Sequence, residues 1–323
     1  MEEERTKKPE AKIVIISGPT GAGKSQLALK LAQSIDGEII VADSMQIYRY
    51  MDIGTAKPTP EERALVPHHL VDVINPDESF SAARFRDMAR KAINSIQQKG
   101  KKALVCGGTG LYIKALIRGL FSGPGENKKL RQDLRAQEAK HGEGYLYGKL
   151  KKVDPPSALR IHPKDTFRII RALEIYYLTG LPASFHYSQH AFQDNQYEYL
   201  QISIQWERDI LYDRIDKRCD QMIANGFIDE VKSLLDRGYH SGLKSMQSLG
   251  YRHLCSYLEG HTTLKEAIRT MKRDTRHYAK RQLTWLRADP SIVWVNNPLD
   301  SFDYIERLIK KFLFSSFPNG RKN

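Results

Sequence analysis

Cysteine is scarce in this chain: three residues in 323, Cys106, Cys219 and Cys255. None belongs to a C-x-x-C pair, so neither a zinc site nor a disulfide framework is indicated. No apolar run approaches the roughly 18 residues that a membrane-spanning helix needs. The N-terminal MEEERTKKPE is charged and has no apolar signal-peptide core. No membrane role is expected, and a reduced, cytoplasmic setting is. Internal repeats and low-complexity tracts are also missing. Acid is in short supply: 38 Asp and Glu stand against 51 Lys and Arg, a formal net charge of +13. An enzyme acting only on small molecules has no need of that excess. A polyanionic partner, nucleic acid foremost, explains it better than solubility does. At 41% hydrophobic content the chain can build one large or two modest domains.

What is present begins with Gly18-Pro19-Thr20-Gly21-Ala22-Gly23-Lys24-Ser25, which matches G-x-x-x-x-G-K-[ST] at every fixed position. An apolar run, Ile13 to Ile16, precedes it and an apolar-periodic stretch, Leu27 to Ile35, follows. This strand–loop–helix context marks a phosphate-binding loop. Its glycines turn backbone N–H groups inward, Lys24 brings charge, Ser25 can ligate Mg2+, and the helix N-terminus adds its dipole. A di- or triphosphate is therefore expected here, and the motif leaves open whether it belongs to a nucleotide.

Six short apolar runs, at 12–17, 38–42, 70–73, 103–106, 200–204 and 292–295, predict buried parallel strands. Helical patterns separate most of them, which predicts an α/β, doubly wound parallel core. After the breaker cluster at 121–125 only helical signals follow until about Tyr199. One predicted helix spans about 126–140, and another is capped by Asp165 and Gly180. A helical insertion at 123–199 is thus expected within a discontinuous core of 1–122 and 200–323. Residues 191–196 read as the return linker and 317–323 as a frayed tail.

The strand at 103–106 ends in Gly107-Gly108-Thr109-Gly110 and lacks the acid an ordinary P-loop ATPase uses for Mg2+ and water. Thr109 either offers a hydroxyl near the loop or completes a tight turn. The acid stands elsewhere: the run ending at Ala42 is followed by Asp43-Ser44-Met45-Gln46. Ligands bind at the carboxyl ends of parallel strands, so Asp43 points to the phosphate-loop edge, as metal ligand, general base or helix cap. Arg214 and Arg218, four apart, share a helix face suited to a diphosphate, or to pairing with interleaved acids such as Asp213 with Lys217. Over 268–287, at about 100° per residue, Arg269, Arg273, Arg276, Lys280 and Arg287 form one stripe opposite Ile268, Met271, Ala279, Leu283 and Leu286. With Asp274 the only acid in that span, the stripe reads as a phosphate-backbone surface. Arg281 lies off the stripe and calls for an anionic partner, carboxylate or phosphate. The insertion is basic at Lys128, Lys129, Arg131, Arg135, Arg160, Lys164, Arg168 and Arg171. Nearby aromatics such as Phe167 and Tyr177 could stack on splayed bases, although core packing accounts for most of them.

Together GPTGAGKS, VADSMQIYRYMDIGTAKP, VCGGTGLYIKAL, RIHPKDTFRIIRALEIYYLTG, SLGYRHLCSYLEG and AKRQLTWLR resemble the tRNA dimethylallyltransferase (tRNA isopentenyltransferase) family, in the family's order and from about residue 12 to 295. DSMQIYR followed by DIGTAKP is the most specific part. The resemblance implies transfer of a dimethylallyl group from dimethylallyl diphosphate to the N6 amine of an adenosine beside the tRNA anticodon. It implies that Gly18 to Ser25 hold the diphosphate, with Lys24, Ser25 and Thr20 on diphosphate and Mg2+. One of Arg214, Arg218 and Arg281 would add to that site. Asp43 would be the general base, Ser44, Met45 and Gln46 would contact the flipped nucleotide and its neighbours, and Thr109 would lie on the reaction channel. Arg131, the segment Phe167, Arg168, Ile169, Ile170 and Arg171, and the segment from Ser245, Met246, Gln247, Ser248, Leu249 and Gly250 to Arg252 would touch the anticodon stem-loop. Phe167 stands where many members carry a polar residue. The Cys/His pairs of the zinc finger found in eukaryotic members have no counterpart, so the chain looks bacterial in type, and a monomer is expected.

Other readings differ in what they need. A small-molecule P-loop kinase, or an isopentenyltransferase acting on free adenine nucleotides, needs neither the insertion nor the basic stripe. A non-catalytic RNA-binding protein has no need of Asp43.

Overall fold

The computed structural model describes residues 11–121, 123–190, 196–298 and 300–315. In chain order come β1 (Ala11–Ser17), α1 (Lys24–Ser34), β2 (Gly37–Val41), α2 (Pro60–Leu65), β3 (His68–His69), α3 (Ala82–Gln98), β4 (Lys102–Gly107) and α4 (Gly110–Arg118). Five helices follow: α5 (Lys128–His141), α6 (Tyr145–Val153), α7 (Pro155–Arg160), α8 (Thr166–Thr179) and α9 (Ala183–His190). The chain continues with β5 (Tyr197–Gln205), α10 (Arg208–Ala224), α11 (Phe227–Asp236), α12 (Tyr251–Leu258), α13 (Leu264–Arg287), β6 (Val293–Asn296) and α14 (Phe302–Phe314). Among the described residues no helix is long and apolar enough to cross a membrane. Backbone contacts divide the chain into two compact units, Met1–Ile117 with Asn195–Asn323, and Arg118–Asp194.

The larger unit is built on a six-stranded sheet among the described residues, in the order β3-β2-β4-β1-β5-β6, with every pairing parallel. The fold is therefore α/β and doubly wound. Burial on both faces explains the unbroken apolar runs. Along β1, Ile13 and Ile15 enter one core with Phe85, Ile93, Leu211 and Ile215, while Val14 and Ile16 enter the other with Leu27, Leu31, Ile305 and Ile309. The connection after β1 runs towards β2 and that after its neighbour β4 runs the other way towards β5, so the crevice at the carboxyl ends of β1 and β4 is a topological switch point, where ligands of such sheets bind.

The strand expected at 70–73 is displaced. β3 pairs His68 and His69 with Ile39 and Ile40. Leu70 (φ 65°) and Asp72 (φ 57°) then adopt left-handed backbone, which extended pairing cannot accommodate.

The smaller unit packs Leu134, Leu146, Leu150, Ile169, Ile170 and Leu173 into its own core. Asn127 caps α5 and Asp165 caps α8 through side-chain oxygens that accept from Leu130 N and Arg168 N. Gly180 ends α8 at φ 75°, in the left-handed cap that glycine favours. Residues 191–195 of the expected linker and the tail at 317–323 lie outside the described residues.

Candidate active site

Three parallel strands deliver the site. β1 ends at Ser17 beside Gly107 of β4, and Val41 of β2 pairs with Cys106. The loops after all three strands therefore leave from the same edge of the sheet. The approach of β4 to β2 depends on Gly107, where a Cβ would collide with the Ala42 backbone. Gly23, at φ 92°, turns the chain into α1, whose first residues are Lys24 and Ser25.

Two cavities open along this edge. The smaller, about 100 Å³, is lined by Thr20, Lys24, Ser25, His68, Cys106 and Gln282 among others. The larger, about 310 Å³, is lined by apolar side chains including Met45, Met222, Phe227 and Met271, together with Ser44, Arg252 and Arg281. Thr20, Asp43, Thr55, Arg218 and Tyr278 line both.

The smaller cavity is electrostatically unfinished. Lys24 Nζ donates to Pro19 O (2.7 Å), and among the described residues it has no ion-pair partner. Burial pushes its ammonium down to about 8, and neighbouring Arg218 adds to the shift. Arg218 donates to Thr20 Oγ1 (3.1 Å) and likewise has no carboxylate within salt-bridge distance among the described residues. Burial lowers its pKa too, against the raising influence of Asp43. Two desolvated cations facing one cavity provide what a multiply charged anion requires.

Asp43 stands where the cavities meet. Its Oδ1 accepts from Met45 N (2.8 Å), which holds the carboxyl in an Asx turn, while among the described residues Oδ2 has no hydrogen-bond partner. No helix follows Asp43, so the helix-cap alternative does not apply. The Thr109 hydroxyl accepts from Ser44 N (3.1 Å), and Thr109 N donates to Ala42 O (3.2 Å). Thr109 thus ties the ends of β4 and β2 together, and it lines neither cavity. Gln46 is buried, with Nε2 donating to Thr55 O and Ala56 O (3.1 Å each). Its side chain braces the loop through 55–56.

The three candidate arginines separate. Arg214 Nε donates to Gly21 O (3.0 Å), and its guanidinium lies 4.6 Å from the Trp206 ring centre. Trp206 in turn donates to Ala22 O (3.0 Å). Arg214 therefore supports the phosphate loop from behind and lines neither cavity. Arg218 enters both cavities, and Arg281 sits on the larger one without a carboxylate partner among the described residues.

Two contributors escape the sequence reading. Gln282 Oε1 accepts from Thr20 N (2.8 Å) and its Nε2 donates to Gly108 O (2.8 Å), linking the loops after β1 and β4. Burial pushes the Tyr278 phenol up to about 12, with Asp43 adding to the shift. A signal for Gln282 existed: it is a polar residue on the packed face of α13, between buried Ala279 and Leu286.

The expected RNA contacts sort by burial. Phe167 and the Arg168 side chain are 67% and 71% exposed. Ile169 and Ile170 face the core of the smaller unit, because α8 turns those positions inward with Leu173. Arg131 is drawn into that unit as well: Nε and Nη2 donate to Glu174 (2.9 and 2.8 Å), a carboxylate with no exposure. Arg171 donates to Glu174 (2.6 Å) and to Pro124 O (2.9 Å). These two cations neutralise a buried acid of the smaller unit. Ser245 and Met246 are buried, whereas Gln247, Ser248, Leu249 and Gly250 line the larger cavity. On α13, Arg276 Nη1 reaches both oxygens of Asp216 (2.9 and 2.6 Å), and Arg273 pairs with Asp274 (2.9 Å). The stripe is therefore partly compensated by α10, while Lys280 is exposed and has no ion pair among the described residues.

The family described as IPPT, IPP transferase, matches residues 46–289. A tRNA dimethylallyltransferase of Geobacter metallireducens is 49% identical over 313 residues, covering 96% of this chain and 99% of the relative. The tRNA dimethylallyltransferase 2 of Syntrophus aciditrophicus is 50% identical over 283 residues, 88% of this chain and 91% of the relative. The solved full-length tRNA isopentenylpyrophosphate transferase of Bacillus halodurans is 43% identical with a TM-score of 0.69, covering 94% of this chain and 96% of that one. A eukaryotic dimethylallyltransferase acting on tRNA superposes with a TM-score of 0.78 at 30% identity, over 96% of this chain and 82% of that one.

Proposed function

The chain belongs to the IPP transferase family and, as a tRNA dimethylallyltransferase, transfers a dimethylallyl group to an adenosine of tRNA; from that premise we propose that the smaller cavity holds the diphosphate of dimethylallyl diphosphate, the larger receives both its apolar chain and the adenosine beside the anticodon, and Asp43 acts where the two meet. The observation that carries this division of labour is the position of Asp43, common to both cavities, with one carboxylate oxygen restrained and the other without a hydrogen-bond partner among the described residues.

The exocyclic amine of adenine is a poor nucleophile because its lone pair is delocalised into the ring. As N6 bonds to C1 of the dimethylallyl group, the C1–O bond to diphosphate breaks and Asp43 Oδ2 takes the N6 proton. Charge grows on the departing diphosphate, where Lys24 and Arg218 already sit in a partly desolvated cavity. Lys24 exchanges the Pro19 carbonyl for a phosphate oxygen. Thr20 and Gln282 keep the phosphate loop in register with the loop after β4.

Among the described residues no group of three His, Cys, Asp or Glu side chains could hold a metal by itself. The exposed Ser25 hydroxyl at the head of α1 fits a Mg2+ bound chiefly through substrate phosphates and water. Such an ion supplies further positive charge to the leaving group.

The RNA partner is the anticodon stem-loop, contacted through Phe167, Arg168, the 247–252 segment and the exposed part of the α13 stripe. Unstacking the target base costs a few kcal/mol, which the net charge of +13 helps offset. The protein acts as a cytoplasmic monomer. The test mixes purified protein, unmodified tRNA, Mg2+ and dimethylallyl diphosphate and follows nucleoside mass. Gain of one isopentenyl unit on an adenosine beside the anticodon is expected. Gain at any other position would overturn the placement of the RNA.

A further inference from the structure

α10 leads away from the phosphate cavity. Arg218 reaches Thr20 at one end of this path, and Met222, one turn further along, enters the larger cavity. A third cavity, about 720 Å³, lies against the same helix, bounded by residues between Arg49 and Arg63 and by Gln221, Met222 and Asn225. Among the described residues, Arg218 and Met222 are the two that line both the larger reaction cavity and this third one. Of these two residues Met222 is the apolar one, and its side chain stands where the two spaces adjoin.

We propose that Met222 is the chain-length stop for the isoprenoid donor, an inference that rests on the smaller cavity holding the diphosphate. A dimethylallyl chain spans about 5 Å, close to the roughly 6 Å of helix axis that separates Arg218 from Met222 at 1.5 Å per residue. A ten-carbon geranyl chain needs roughly twice that reach and meets the Met222 side chain. The wall beyond cannot yield in its place. Phe227 is fully buried, stands edge-on to Tyr251 at 4.9 Å between ring centres, and is packed where a Cβ on Gly54 or Gly250 would strike it. Met222 is unbranched, only partly buried, and backed by the third cavity instead of by packed protein. Shortening it joins the two spaces and gives a longer tail somewhere to go.

The experiment offers full-length wild type, Met222→Ala and Met222→Val a mixture of dimethylallyl and geranyl diphosphate with tRNA, and reads both products by nucleoside mass. The geranyl-to-dimethylallyl ratio of kcat/KM should rise on the order of tenfold or more in Met222→Ala, and less in Met222→Val. Two variants are used so that a fold lost in one leaves the comparison intact in the other. A wild-type ratio in the folded variants overturns the proposal, as does an effect confined to the KM for tRNA. Binding of inorganic diphosphate by Arg218→Ala separates the two layers. Wild-type affinity there would remove the diphosphate assignment itself. Weakened affinity together with an unmoved donor ratio would remove only the chain-length role.

Discussion

Replacing Lys24 by Met should stabilise the ligand-free protein while it destroys donor binding. The Lys24 ammonium falls from 10.5 to about 8 on folding, chiefly through burial. At about 1.4 kcal/mol per pH unit, keeping the charge in the folded state costs at most about 3 kcal/mol. The hydrogen bond to Pro19 O returns about 1 kcal/mol, leaving a net gain near 2 kcal/mol for Lys24→Met at pH 7. The sign follows from linkage. Between pH 8 and 10.5 the unfolded chain binds more protons at this site than the folded chain, so wild-type stability rises with pH across that window. The advantage of the variant is therefore complete below pH 8 and shrinks above it. Urea denaturation of both proteins without ligand, at pH 7 and pH 9.5, measures the difference. Donor binding gives a second reading. A terminal phosphate with its last ionisation near 6 is constant in charge from about pH 7.5, so affinity of the wild type should fall about tenfold per pH unit above 8 as Lys24 loses its proton. A variant less stable than wild type at pH 7, or a gain equal at both pH values, would refute the claim that Lys24 is held charged at a cost.

Three further outcomes follow from the geometry. Asp43→Ala should lower the rate of prenyl transfer by about 10²- to 10⁴-fold, the range for loss of a general base, while tRNA binding measured by filter retention survives; a wild-type rate would remove Asp43 from the chemistry. Arg131→Ala should cost about 3 kcal/mol in thermal or urea unfolding, the low end for breaking a buried ion pair because Arg171 still faces Glu174. An unchanged melting curve with weakened tRNA binding would instead return Arg131 to the RNA surface. Charge reversal at Arg273, Arg276 and Lys280 should weaken tRNA binding and flatten its salt dependence. Lys280 should contribute most because Arg276 is already held by Asp216, and an unchanged salt slope would sink the backbone-contact proposal.

The contrast between these cations also explains which parts of the molecule were legible in its sequence. The phosphate loop and the strands at 12–17, 103–106 and 200–204 are contiguous signals, and each is complete within a dozen residues. The displaced β3 failed because two left-handed residues, Leu70 and Asp72, interrupt a run whose composition is apolar enough for a strand. The choice among Arg214, Arg218 and Arg281 could not be read from helical spacing, which puts Arg214 and Arg218 on one face. It took the Gly21 carbonyl and the Trp206 ring to claim Arg214. The α13 stripe looked short of acid because Asp216, which holds Arg276, comes from α10, 60 positions earlier. At the smaller cavity, charge pairing does not follow burial. The more exposed Arg269 and Arg273 have carboxylates, whereas Lys24 and Arg218, at the cavity where desolvation is costly, have none among the described residues. A fold selected for stability alone would place an acid beside such cations or replace them. Leaving both without a carboxylate partner, one helical turn before an apolar chamber, makes sense if the missing charge arrives with the donor and leaves as diphosphate.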